Sequence, residues 1–446
     1  MPETYVMAIF AAVMILTYIG IAYERIHKTT AALLGAGTAI LLGVSLGLFP
    51  YGTVYDVLKD DLNIIGVIVG TGILVGITSR SGLFQFIGIK IVKATGGDKI
   101  RLFLYLNLLT FVFVSFLTIV PSMLIIVSLT LVACRVLEYD PKPYLISEAI
   151  VANSGALTTY ASSLPNLIIG TAAGIPYVQF LLVSAPFAFI SFALAYGLLR
   201  FFLRRDLGQK PSTTSLQEMR ERVERFDEWS VVRDRTFFRR SGVILLGTIV
   251  GFAVAPQFGI GLDFVALMGA TAALLLSGID TDKAIKQVNW AIVLFFVGLF
   301  TIIAAVEASG LLEVVALAIT DLTGGGPMAT QGVILWFSAG ASGFVDNIPV
   351  SATMIPIVST MGQAGLSMDP LWWSVIIGSN LGGSITPIGS ISCVIALHSL
   401  ETEADTRVSW PEFIKIGGII VAVQMVVATA YLFLLSTFNM IPTIPG

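Results

Sequence analysis

The chain has 446 residues, of which 56% are apolar and only 12% charged, and its formal net charge is −3. With a mean hydropathy of +0.91 it lies outside the range of soluble domains and reads as an integral membrane protein, with no basic footprint for nucleic acid. A P-loop, a Gly-x-Ser-x-Gly elbow and a paired-His motif are all missing, and Cys134 and Cys393 have no metal or redox spacing, so an enzyme is not expected.

Apolar runs of about 20 residues cross a bilayer as helices. In chain order they fall near 5–23, 31–49, 62–79, 143–170, 176–199, 238–256, 262–279, 288–306, 370–397 and 410–437. The first lacks a basic start and a small-residue exit, so it reads as a retained span. Two further stretches, 102–134 and 328–362, are interrupted near the middle by Pro and polar residues and read as re-entrant hairpins. Segments 82–94 and 310–322 read as short helices along the membrane faces.

With the N-terminus outside, ten crossings place loops 24–28, 80–101, 135–142, 200–240, 280–287 and 398–415 on one side. Of the 25 Lys and Arg, only Lys59 then falls on the other. The basic side is cytoplasmic by the positive-inside rule, so both termini are outside an inner (cytoplasmic) membrane. The charged stretch 200–240, which includes "QEMRERVERFDEW", reads as a solvated linker with a short amphipathic helix.

An internal duplication runs through the chain. At an offset of 228, Gly70 meets Gly298, Ser81-Gly82-Leu83 meets Ser309-Gly310-Leu311, and Pro121 meets Pro349; at 227, Asn153 meets Asn380 and Thr159 meets Thr386. Residues 1–204 and 238–446 are thus the two halves, joined by the charged linker 205–237. Five crossings per half is odd, so the repeat is expected to be inverted, as in secondary transporters.

Non-helical backbone survives at membrane depth only inside protein or beside water. Four interruptions meet that description. "ANSGALTTYASSLPN" (152–166) and "SNLGGSITPIGSISC" (379–393) carry Pro165 and Pro387, and each reads as a discontinuous helix. Both are dense in Gly, Ser, Thr and Asn, and the broken ends expose free amides on one half-helix and free carbonyls on the other. The second hairpin tip offers Asp346 and Asn347, the best placed for Na⁺ or a proton. The first tip offers only Thr118 beside Ile119, so the two half-sites are chemically unequal. Glu148 and Glu307 are expected to snorkel from helix ends, Arg80 to anchor a cytoplasmic end, Trp372 and Trp373 to join an interfacial belt, and His398 to sit exposed.

"FVDNIPVSATMIPIV" and "LWWSVIIGSNLGGSITPIGSISCVIALHSL", with "ANSGALTTYASSLPNLIIG" in the first half, resemble the arsenite permease and P-protein branch of the ion transporter superfamily. The resemblance implies an all-α membrane protein with inverted halves, each with a re-entrant hairpin and a discontinuous helix, and an elevator-type cycle. Carried over residue by residue, it implies ligands at Asp346 and Asn347, at Asn380, Gly382, Gly383, Thr386 and Ser390, and in the first half at Asn153, Gly155, Thr159, Ser163 and Asn166. It also implies a small ion or neutral oxyacid as substrate, H⁺ or Na⁺ as coupling ion in place of any cofactor, a homodimer, and a cytoplasmic ATPase partner if the carrier is of arsenite type. The leading expectation is an arsenite or antimonite efflux carrier coupled through Asp346. Behind it stand a Na⁺/H⁺ antiporter, a Na⁺-coupled dicarboxylate or other anion symporter, and a non-transporting scaffold or channel on this fold. The apolar Ile119 tip argues against a dicarboxylate.

Overall fold

The computed structural model describes residues 4–22, 26–60, 62–208, 224, 227–286 and 288–444. They form helices and connecting turns, and no strand occurs among them. Seven of the expected spans are single long apolar helices: Thr4–Ala22, Lys28–Ser45, Leu62–Arg80, Tyr177–Phe202, Arg235–Phe258, Trp290–Ala308 and Trp410–Thr437. An eighth, Leu262–Ser277, has 16 residues.

Among the described residues, ten helices are long and apolar enough to cross a membrane, but they are not the ten expected. Each of the two broken spans consists of two helices too short to qualify: Lys142–Gly155 with Leu164–Ala172, and Asp369–Gly382 with Ile391–Glu403. The other three long helices are the hairpin arms Lys99–Phe116, Ile119–Leu137 and Pro327–Val345. An arm of 18 residues reaches about 27 Å at 1.5 Å per residue, so hairpin arms rival true spans in length.

The arms do fold back. Tyr144, just beyond the first hairpin, donates its hydroxyl to the carbonyl of Lys99 at its start (3.2 Å), and Pro327 and Leu366, at the two ends of the second, border one cavity.

Repeat-related elements have matching boundaries. Adding 228 to Leu62–Arg80 and Leu83–Ala94 gives Trp290–Ala308 and Leu311–Leu322, and both 12-residue helices begin after a glycine in the left-handed region (Gly82 φ 80°, Gly310 φ 76°). Packing is reciprocal as well. Leu62–Arg80 of the first half packs on Leu262–Ser277 of the second, and Trp290–Ala308 packs on Lys28–Ser45. Both crossings turn on a glycine: a Cβ on Gly70 would stand 2.7 Å from the Leu267 amide, and one on Gly298 2.8 Å from the Ala32 carbonyl carbon. Small residues let the backbones touch where lipid supplies no hydrophobic drive.

Thr4–Ala22 joins the second of these pairs and Arg235–Val254 the first, and the two groups form a layer against the hairpins, on which both 12-residue helices also pack; the hairpins and broken helices pack further among themselves and on Tyr177–Phe202 and Trp410–Thr437. The expected amphipathic helix of the linker lies mostly outside the described residues. Its far end is fastened to Leu83–Ala94 by Lys93 Nζ on Glu228 Oε2 (2.7 Å) and by Trp229 against Phe86 (ring centroids 4.6 Å apart).

Candidate functional site

Each broken helix has the same construction. The intervening loops, 156–163 and 383–390, end on a serine in extended backbone (Ser163 φ −142°, Ser390 φ −145°) that caps the second piece; each side chain accepts from a first-turn amide. Thr159 Oγ1 donates to the Ser115 carbonyl (2.7 Å) and Thr386 Oγ1 to the Gly343 carbonyl (2.5 Å), so each loop is pinned just before a hairpin tip. The tips turn on Thr118 (φ 20°) and Asp346 (φ 112°), equivalent positions where neither residue is glycine. Strain of this kind costs about 1–3 kcal/mol and persists only where surrounding packing enforces it.

The tips and loops meet at a cavity of about 750 Å³. Its wall includes Thr118–Pro121, Ser163–Pro165, Asn347–Ile348 and Ser390–Ile391, the first turns of four helices, and Asn289, which caps a fifth. First-turn amides have no carbonyl within their own helix to donate to, so convergent N-termini favour an anion. Arg80, exposed at the end of its helix, is the charged residue among the described lining residues. A second cavity of about 860 Å³ adjoins, sharing Val120, Leu124, Asn289, Ile292 and Ile391, and is bordered by His27, Lys28, Asp346, His398, Glu401 and Arg407. Apart from Asp346 at the second hairpin tip, these residues belong to the loops on the basic side of the chain.

The candidate residues divide into two groups. Thr118, Ser163, Asn347 and Ser390 line the central cavity, and Asp346 lines the adjoining one. Of the others, Asn153, Asn166 and Asn380 join the halves behind it, and the rest hold each half together. Asn153 donates to Ser384 Oγ (2.8 Å) and accepts from Ser390 Oγ (3.0 Å). Asn380 donates to Asn166 Oδ1 (2.8 Å), while Asn166 donates to the carbonyls of Ala156 (2.6 Å) and Thr159 (2.9 Å). Thr159 and Thr386 spend their hydroxyls on the hairpins. Gly155, Gly382 and Gly383 are places of close backbone approach: a Cβ on Gly155 would lie 2.8 Å from the Phe111 carbonyl oxygen and one on Gly383 2.9 Å from the Ser390 Cβ, while on Gly382 it would meet the Ala339 backbone.

Sequence reading missed Lys28. Its Nζ stands 3.4 Å from Asp346 Oδ2, while Asp346 Oδ1 accepts from the Ile348 amide (3.3 Å). The acid is therefore already countered by a lysine, and a coupling cation there must displace that lysine. Arg80 borders the cavity as well as ending its helix. Trp372 and Trp373 are buried in the second broken helix, Trp373 against Phe180 (5.4 Å), and form no exposed belt. Glu148 is wholly buried, beyond any reach of headgroups.

Residues 18–378 match the citrate transporter family. The chain belongs to that family. A transporter of Mycobacterium tuberculosis is 31% identical to it over 433 residues, covering 95% of this chain and 97% of that protein. A 46 kDa membrane protein of Mycobacterium leprae is 30% identical over 431 residues, covering 95% and 97%. The human P protein is 27% identical over 508 residues, covering 96% of this chain and 60% of its own length. The YdaH transporter of Alcanivorax borkumensis shares the fold, with a TM-score of 0.61 over 88% of this chain and 89% of its own at 13% identity. The citrate transporter family member described here is accordingly a multi-pass membrane transporter and no enzyme. The P-protein half of the expected resemblance stands, and nothing sets the chain with the arsenite permeases in particular.

Proposed function

We propose that this transporter is a secondary carrier of a carboxylate-bearing anion, held in the central cavity between the hairpin tips and the broken helices and driven by an H⁺ or Na⁺ gradient. The observation that carries this reading is the cavity wall: four helix first turns, the Asn289 cap and Arg80, with no acid among the described lining residues. The apolar side chain of Ile119 is no obstacle, because the backbone amides of that turn are the donors. An arsenite-type substrate draws less support. Cys393, the soft ligand nearest the site, borders neither cavity and points its thiol at the Gly383 carbonyl (3.6 Å).

The proposed transport cycle moves the hairpins and broken helices against the layer of Lys28–Ser45 and Leu62–Arg80, with the two halves inversely oriented. Both cavities border loops on the basic side, so in the expected orientation this is the state open to the cytoplasm. Uptake into proteoliposomes of labelled citrate, arsenite or Na⁺, under imposed H⁺ or Na⁺ gradients, tests the reading. Gradient-driven citrate movement supports it; arsenite movement or Na⁺-for-H⁺ exchange without citrate movement overturns it.

A further inference from the structure

Glu148 lies on Lys142–Gly155, the first piece of the first broken helix, with no exposed surface. Thr130, on the second arm of the first hairpin and equally buried, donates to its Oε1 at 2.7 Å. Its Oε2 has no partner. Among the described residues no salt bridge reaches it.

The Cys134 thiol and the Tyr144 hydroxyl lie within its electrostatic reach, both ordinarily neutral. Lys142, at the start of the same helix, is paired with Glu412 (2.7 Å). Of the elements packed on this helix, Lys99–Phe116 carries Lys99, Arg101 and Tyr105, and Ile119–Leu137 adds Arg135. Tyr177–Phe202 carries Tyr177, Tyr196 and Arg200; Asp369–Gly382 carries Asp369; and Ile391–Glu403 carries Cys393, His398, Glu401 and Glu403. A charged carboxylate in such a place is costly unless it gains a proton or a cation.

The duplication shows that the fold does not need this pair. At the same offsets, Thr130 corresponds to Val358 and Glu148 to Val375, both fully buried, on a hairpin arm and a broken-helix piece that pack on each other. One half has buried valines at these two positions; the other has a carboxyl and its hydroxyl donor.

We propose that Glu148 is a proton-binding site of the carrier, loaded when the first hairpin closes on the first broken helix and unloaded to water when they part. Ionisation is the transfer of its carboxyl proton to water, and the carboxylate left behind favours the parted, hydrated arrangement. Because Thr118 at the hairpin tip borders the central cavity, closure of this contact is communicated to the site.

The test uses the full-length protein in lipid. Infrared spectra report the carbonyl stretch of a protonated carboxyl, and amide hydrogen exchange, corrected for its intrinsic pH dependence, reports opening of residues 119–137; both are recorded at about pH 6 and about pH 9. In the wild type the protonated-carboxyl band is expected at the lower pH, and its loss at the higher pH is expected together with severalfold faster exchange of the hairpin. Glu148→Gln is expected to lack the band and to keep the hairpin protected at both. The pair Thr130→Val/Glu148→Val, which copies the second half, is expected to do the same and covers the case where the single variant fails to fold. A band that persists in the variants, never disappears at high pH, or disappears without a change in hairpin exchange overturns the proposal.

Discussion

Asn380 of the second broken helix donates its amide to Asn166 of the first at 2.8 Å, and both side chains are wholly buried. The contact joins the two halves directly behind the cavity, where Asn166 also gathers the carbonyls of the first loop. Asn380→Ala removes the donor and leaves Asn166 Oδ1 buried and unpaired. Thermal unfolding in detergent should show a loss of about 1–3 kcal/mol, and gradient-driven uptake should fall with it. A variant as stable and active as wild type would show that the bond is incidental.

Lys28 and Asp346 connect the layer of long helices to the second hairpin tip. Removing one partner strands the other, whereas removing both does not. Lys28→Met should cost about 1–2 kcal/mol, less than for a fully buried pair because the lysine side chain keeps 27% of its surface exposed. Lys28→Met combined with Asp346→Asn should recover part of that loss, which a double-mutant cycle measures as coupling. Additive losses would mean that the two groups do not interact.

Gly70 and Gly298 make the same helix crossing in the two halves. Gly70→Ala and Gly298→Ala should each destabilise the protein by about 1–3 kcal/mol, since a methyl group at either site meets backbone that cannot swing aside. The symmetry is the sharper expectation. Unfolding midpoints that fall by similar amounts support reciprocal packing, and an effect confined to one half contradicts it.

Much of the fold was legible from local signals. The duplication shows in matched Gly, Pro and Asn, and the broken helices and hairpin tips in Pro and polar residues inside apolar runs. What stayed hidden depends on partners far along the chain. Nothing near Lys28 announces Asp346, 318 positions on. Glu148 looked like a snorkelling helix-end residue because the helix that buries it is defined by packing. Trp372 and Trp373 looked interfacial because a tryptophan pair near a span end has the same sequence signature in a belt as in a core. The hairpins were recognised, but the count of long helices was assigned differently because an arm of 18 residues matches a span in length. Among the candidate ligands, residue type alone could not separate Ser163 and Ser390, which border the cavity, from Asn166 and Asn380, which hold its wall together.

Arg80 borders the cavity from the end of Leu62–Arg80. Arg80→Gln should raise the KM for anion uptake about tenfold, equivalent to about 1.4 kcal/mol. Arg80→Lys should fall in between, since it keeps the charge and loses the planar fork. An unchanged KM in both variants would remove Arg80 from substrate recognition.

The central claim is that an anion occupies the space between the hairpin tips and the broken helices. It is tested most directly by placing a thiol there with Ser163→Cys, placing another in the adjoining cavity with His398→Cys, and following maleimide labelling of each as ligand is added. Citrate should slow labelling at position 163 and leave position 398 unchanged. Protection at 398 alone, or protection at 163 by arsenite or Na⁺ and not by citrate, would contradict it.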